Sequence, residues 1–318
     1  MSFQEPKGRI ETLRQFLEAL KRIRRERWGE VSGYFFILPF AVFVLGFSIW
    51  PIIRGLMMAF QDYRLTSDSS PFIGLANFKE VLFQDPKFWW SLGVSLKFAL
   101  LTLPPILIVA MLIAILISKI QNNLWATIFR TINYLPVVIP VPMAIYLWKS
   151  IYNADYGYLN YFLTKVVGLN FSPIWLGDPK YALFALAIAC VWKGFGGTML
   201  FFLVGLYNVP RELYEAARLD GAGEWHQFLH ITIPMIRPIL TLIFVLNAGI
   251  LGAGTVEAMN MVGVGPENST LLFGLYSWKV AFEWGDLRFG YSAAMGLLLS
   301  IFNISLALII FKLMRPPK

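Results

Sequence analysis

Six long apolar stretches, almost free of charge, constrain this chain more than any other feature. They are Val31–Ile53, Phe98–Ile117, Thr131–Trp148, Tyr181–Pro210 (interrupted only by Lys193), Pro238–Val256 and Phe289–Phe311. Each is close to the roughly 20 residues that a helix needs to cross hydrocarbon. Inside lipid, only helices and closed barrels satisfy every backbone N–H and C=O. Runs of this length are too long for barrel strands. The expected fold is therefore an all-α integral membrane protein with six transmembrane helices. Composition agrees: 14% of residues are charged, against about a quarter in a soluble domain.

An even number of spans places both termini on one side, and Lys and Arg mark the cytoplasmic side. Eight lie in the N-terminal segment (Lys7, Arg9, Arg14, Lys21, Arg22, Arg24, Arg25 and Arg27). Lys119, Arg130, Arg211, Arg218, Arg237, Lys312, Arg315 and Lys318 fall on the same side, making sixteen. The longer loops on the other side carry eight. Both termini are therefore expected in the cytoplasm. The net charge of +8 follows from this asymmetry and calls for no nucleic acid.

Residues 1–30 read as a cytoplasmic amphipathic segment along the membrane surface, because Ile10, Leu13, Leu17, Leu20 and Ile23 recur at helical spacing among basic residues. A solvated charged tail is the alternative. The first apolar run is too long for a cleavable signal peptide, and no small-residue cleavage site follows it. Residues 31–318 form the expected six-helix domain. The outer loops, Gln61–Trp90, Ser150–Lys180 and Glu257–Arg288, are rich in Pro, Gly and aromatic residues. They read equally as a docking face or as connectors.

One connection is more organised than a connector requires. Residues 210–234, between the fourth and fifth runs, contain "YEAARLDGAGEWHQFLHITIP". Pro210 suits the start of a helix over Arg211–Leu219, and Glu212 and Glu215 suit its positive end. Asp220-Gly221 predicts the stop, since Gly accepts left-handed dihedrals. A second helix is expected from Glu224 to Ile233, limited by Pro234. Small residues at the corner (Ala216, Ala217, Gly221, Ala222 and Gly223) leave room for close approach by another backbone, and Glu215 and Asp220 offer carboxylates to a basic partner.

The chemistry-bearing residues are few. The chain has no G-x-x-x-x-G-K-[ST], G-x-S-x-G or HExxH string. The glycines of "GVGPEN" do not build a phosphate loop in this setting. Cys190 is the single cysteine, so it has no partner for a disulfide or a thiol-redox motif. His226 and His230 share a helix face, but two ligands without a third make a poor metal site. No catalytic residue, metal or cofactor is expected. Polar groups inside spans are costly and so informative. Lys193 reads either as a lysine snorkelling or pairing with another subunit, or as a cation facing a solute path. Asn247, Glu257 and Asn260, among Gly249, Gly252 and Gly254, suggest a broken or closely packed helix beside a cavity. Asn303 is a weaker candidate.

The string "EAARLDGAGEWHQFLHITIPMIRP" resembles the "EAA" cytoplasmic loop of ABC importer permeases, in the sugar-type branch where Asp-Gly-Ala follows EAA. "FILPFAVFVLGFSIWPIIRGLMMAFQDY", "FIGLANFKEVLFQDPKFWWSLGVSLKF" and "GPENSTLLFGLYSWKVAF" are similar to other parts of that branch, so the resemblance runs from about Tyr34 to Lys312. It implies a coupling helix that inserts into an ATPase subunit. Glu215, Ala216, Ala217, Asp220, Gly221 and Ala222 would form the docking corner, and Pro234 would end the element as the chain re-enters the membrane. It implies location in a prokaryotic cytoplasmic membrane, a second permease of similar but distinct sequence, two ATP-binding subunits and an extracytoplasmic solute-binding protein. ATP would be bound by the partner subunits and not by this chain.

The expected function is ATP-driven carbohydrate import by alternating access, with an oligosaccharide as solute. Polyols, glycerol-phosphate compounds and acidic oligosaccharides stay open as solutes. An ion-coupled secondary transporter is the alternative from another class, although no internal repeat and few intramembrane carboxylates support it.

Overall fold

The computed structural model describes residues 34–314, so the amphipathic segment expected at 1–30 lies outside the described residues. These are helical throughout, with no strand among them and only two isolated bridges, Gln61 to Phe72 and Arg64 to Arg288. The chain forms two units, divided between Met57 and Met58. The described residues of the first lie in helix α1, Tyr34–Met58, which ends at the division, is apolar enough to span and contains a π-turn at Leu45–Ile49.

The second unit contains α2 (Ala76–Phe83), α3 (Pro86–Ser118), α4 (Asn123–Val138), α5 (Val141–Ile151) and α6 (Pro179–Tyr207). It continues with α7 (Arg211–Leu219), α8 (Glu224–Met235), α9 (Arg237–Leu246), α10 (Thr255–Met261), α11 (Phe273–Phe282) and α12 (Phe289–Met314). Helices α1, α3, α6 and α12 are long enough to cross a membrane singly. If the bent pairs α4–α5 and α8–α9 each count as one, the spans number up to six, with α8 leading from the preceding connection into the last of these pairs.

Local sequence sets most of the ends. Asp85, Asn122 and Asp178 cap α3, α4 and α6 by accepting backbone N–H bonds, and Pro86 and Pro179 follow two of these caps at the first turn. With 33 residues, α3 is about 50 Å long. It therefore extends beyond the hydrocarbon layer, and Pro104 and Pro105 do not end it.

The third and fifth spans are not the continuous helices that their hydropathy suggests. In the third, α4 and α5 meet at 95°. Pro140 forces the preceding Ile139 out of the helical region, to φ −64 and ψ 125. At the entry to the fifth, α8 and α9 meet at 64° around Ile236. Beyond α9 the helix fails again at Asn247. A 3₁₀ turn covers Ala248–Gly252, Gly254 stands at φ +74, and helix resumes with α10. The broken helix expected around Asn247 is present.

Pro234 requires a correction. It does not end the second helix of the 210–234 element, which runs through it to Met235. A π-turn over Phe228–Thr232 shifts the hydrogen-bond register, and Ile233 N–H reaches back to Phe228 O. The missing N–H of Pro234 is absorbed there. The break belongs to Pro238, which removes a donor just after Ile236 and whose ring excludes the carbonyl four residues back.

Three buried clusters run along the second unit. One holds Phe88, Phe273, Tyr276 and Tyr291, near the start of α3. The next holds Phe98, Leu186, Ala258 and Leu272. The third holds Ala110, Ala114, Met199, Phe202, Ile236 and Ile243, near the end of α3. Small residues bring α3 and α6 together. At Gly196 the backbone of α6 lies so close to α4 that a Cβ would collide with Asn133 O.

Candidate functional site

The hairpin α7–α8 stands where the 210–234 element was expected, and α7 has the bounds read from the sequence. Its stop is a Schellman motif. Gly221 sits at φ +79, its N–H donates to Arg218 O (3.0 Å), and Ala222 N–H donates to Ala217 O (2.8 Å). The side chain of Gln227, itself buried, donates through Nε2 to Ala222 O at 2.7 Å. The hydroxyls of Tyr214 and Thr232 lie 2.8 Å apart and join the two arms. Lys119, just beyond α3, pairs with Glu224 at 3.0 Å. The hairpin is thus internally braced, yet no residue of α7 is buried.

Glu215, Ala216, Asp220 and Gly221 are exposed, and Ala217 and Ala222 are half-buried, at one corner. Leu219 beside them is 90% exposed, an unusual position for a leucine on a braced turn. Pro234 lies beyond this corner, near the far end of α8. His226 and His230 are stacked with ring centroids 3.9 Å apart. Among the described residues, no group of three or more His, Cys, Asp and Glu could hold a metal.

A small cleft lies between α5, α6 and α10. It is lined by Val141, Ala144, Ile145, Trp148, Ala189, Lys193, Glu257 and Met261. Lys193 and Glu257 therefore come together. The Lys193 ammonium, however, donates to the carbonyls of Ile139 (2.7 Å) and Val137 (3.5 Å), the end of α4. Half-buried in the cleft lining, Lys193 thus also holds the end of α4, a contact that its place in the sequence does not reveal. Trp148, which sequence reasoning missed, has a buried indole N–H with no hydrogen-bond partner. A tryptophan at a span end reads as an interfacial anchor, so its place in the cleft was not visible.

The other candidates lie outside this cleft. The Asn247 amide returns to Ile243 O at 2.8 Å, and the exposed Asn260 amide returns to Val256 O at 2.8 Å. Asn303 lies on α12, away from the cleft lining, with its buried Oδ1 unpartnered.

A second polar assembly, at the opposite end of α3 from the hairpin, was also missed. Asp85 caps α3 through Oδ1 and accepts the hydroxyls of Tyr276 (2.5 Å) and Tyr291 (2.7 Å) through Oδ2. Arg288 grips Glu80 with two 2.6 Å bonds and lies over the ring of Tyr291, 4.4 Å from its centroid. Arg64 joins Asp62 (2.8 Å) to Asp286 (2.7 Å). The Arg64 hydrogen bond holds the Asp62 carboxyl below its usual range. Bonding to Glu80 raises Arg288, and burial followed by the Asp85 contact raises Tyr276. This clasp joins α2, α3, α11 and the start of α12.

Broken spans, a braced hairpin before the fifth span and a small cleft make up the architecture. Residues 97–315 match the family described as "binding-protein-dependent transport system inner membrane component". The chain belongs to this family. It is a multi-pass inner-membrane permease of the ABC type, not a catalytic subunit.

The chain is 33% identical to the probable ABC transporter permease protein YesP of Bacillus subtilis, over 93% of this chain and 94% of that protein. It is 29% identical to the lactose transport system permease protein LacF of Rhizobium radiobacter, over 92% and 97% of the two. Its fold is that of a chain from the bacterial alginate ABC transporter solved in complex with an alginate pentasaccharide-bound periplasmic protein. The TM-score is 0.77 and the identity 24%, over 93% of this chain and 96% of that one.

Proposed function

We propose that this permease imports an oligosaccharide, pairs with a second, similar permease, and is driven by two ATPase subunits that grip the α7–α8 hairpin. The observation that carries this reading is the Schellman-closed corner, braced from within and exposed without. A rigid lever between two spans transmits force where a slack loop would absorb it. Glu215, Ala216, Ala217, Asp220, Gly221 and Ala222 form the docking corner, with the hairpin and both termini in the cytoplasm. Pro234 lies away from this corner, within the last turn of α8.

A solute-binding protein delivers the sugar on the other side, as the family's description and the alginate relative support. The solute path passes beside the cleft that Lys193 and Glu257 line between α5, α6 and α10. Aromatic rings with amide and carboxylate groups suit a sugar, whose faces are apolar and edges polar. Asn247 and Asn260 flank the break in the fifth span and belong to the same path.

The test is uptake by the assembled transporter bearing Glu215→Lys. Uptake and solute-stimulated ATP hydrolysis should both be lost while the permease stays in the membrane. Persistence of both would show that the corner does not carry the ATPase. For the solute, oligosaccharides should compete for uptake, and failure of every oligosaccharide to compete would remove the sugar reading.

A further inference from the structure

Lys193 is the cation closest to the middle of the fourth span, and its contacts are specific. A helix leaves its last carbonyls without intrahelical donors. At the 95° break after α4 these carbonyls lie where water is scarce, so an unmet one is costly. The Lys193 ammonium reaches two of them, Val137 O and Ile139 O. It also places a positive charge at the negative end of the α4 dipole.

About one turn further along α6, Gly196 packs against the α4 backbone at Asn133 and Tyr134 so closely that no side chain fits. One contact is steric and the other is a charge-assisted pair of hydrogen bonds. Together they fix α4 to α6 at two successive turns.

What lies at each end of this joint gives it a role. Toward the C-terminus, α6 runs unbroken to Tyr207 and enters α7 after only Asn208, Val209 and Pro210. Asn208 N–H and Val209 N–H bond back to Gly205 O (3.2 Å) and Leu206 O (3.3 Å), and Val209 is buried, so the connection is tight. On the other side of the break, α5 begins at Val141 and supplies Val141, Ala144, Ile145 and Trp148 to the cleft. A displacement of α6 would be carried through Lys193 to the break, and from there to the wall of the cleft.

We propose that Lys193 is a positioning residue. It ties the break of the third span to the helix that leads into the hairpin, so that movement of the hairpin reshapes the cleft. The proposal rests on the reading of the hairpin as the ATPase dock. It differs from a role in solute contact, because the ammonium acts through the backbone of α4.

The experiment uses the complete transporter in proteoliposomes, with uptake and ATP hydrolysis measured together for Lys193→Met and Lys193→Arg. Solute taken up per ATP should fall about tenfold in Lys193→Met, the scale of losing charged hydrogen bonds to half-buried carbonyls. It should recover to within about twofold in Lys193→Arg, whose guanidinium restores the donors. The half-saturating solute concentration should stay near wild type in both. An unchanged ratio in Lys193→Met would overturn the proposal. So would a raised half-saturation with an intact ratio, which would mark Lys193 as a solute contact.

If Lys193→Met does not assemble, hydrogen exchange on the wild-type complex decides. Residues 134–141 and 190–197 should change protection together when ATP is added, and independent changes would refute the tie. Loss of coupling in Glu215→Lys, with none in Lys193→Met, would leave the docking reading intact and remove only this one.

Discussion

The clasp and the hairpin lie at opposite ends of α3 and are built on opposite principles. The clasp draws residues from 62 to 291 together through carboxylates, guanidinium groups and tyrosine hydroxyls. Its bonds join elements remote in sequence, so it fixes how helices sit against one another. The hairpin is held mostly by its own backbone and by Gln227 and Tyr214, all within one short segment. Among the described residues its ion pair to another element, Lys119 to Glu224, is well exposed, and such pairs contribute little. Its Tyr214, Ile231 and Ile233 instead pack on the apolar cluster at the end of α3. One end of the bundle is cross-linked by polar groups; the other carries a rigid piece seated on apolar contacts. On the proposed reading the first keeps its shape and the second is moved.

That contrast is breakable, and the largest effect belongs to the hairpin corner. Gly221→Asp is tolerated by the backbone at modest cost, because Asp visits left-handed conformations, but it fills the corner with a side chain. Uptake should fall by about a hundredfold or more, the scale of several kcal/mol lost at a docking interface, with membrane insertion intact. Uptake assays beside a membrane fractionation check both.

The clasp should behave in the reverse way. Asp85→Ala removes a helix cap and the acceptor for two buried tyrosines, a destabilisation of about 2–4 kcal/mol. Thermal unfolding should shift clearly, while uptake per ATP in the surviving protein stays the same. A normal unfolding temperature with a lowered ratio would invert the division of labour.

Tyr214→Phe leaves Thr232 without its partner and should cost about 1 kcal/mol, visible as faster hydrogen exchange confined to 214–232. Spread of that effect into the clasp would contradict the separation of the two ends.

The smallest effect is that of pH. The Asp62 carboxyl is lowered by its Arg64 hydrogen bond. Its contribution is therefore complete above the ordinary carboxylate range and is lost as pH falls through the lowered value. Mild acid should loosen the 62–64 loop slightly and leave the hairpin unchanged, as hydrogen exchange at two pH values would show.

What the sequence made legible follows the same division. The bounds of α7 could be read because Pro210 and Asp220-Gly221 act locally. The six spans could be counted because their hydropathy is local too. The bends were harder. Pro234 and Pro238 lie four apart, and which of them breaks the helix depends on where the backbone accommodates a π-turn. Lys193 was recognised as informative, but its acceptors lie more than fifty residues away, at Val137 and Ile139. The clasp went unseen, its carboxylates scattered through loops read as docking faces or connectors. The one signal that could have raised it was Asp85-Pro86, a cap and helix start at the head of the longest helix.

The account depends most on the hairpin corner being the seat of the ATPase subunits. The direct measurement is co-purification of those subunits with permease carrying Glu215→Lys and, in parallel, Glu215→Gln. Glu215→Lys should lose the ATPase subunits, and Glu215→Gln should retain them in part, with a hold that weakens as salt rises. Full retention of the ATPase subunits by the Glu215→Lys permease would contradict the account.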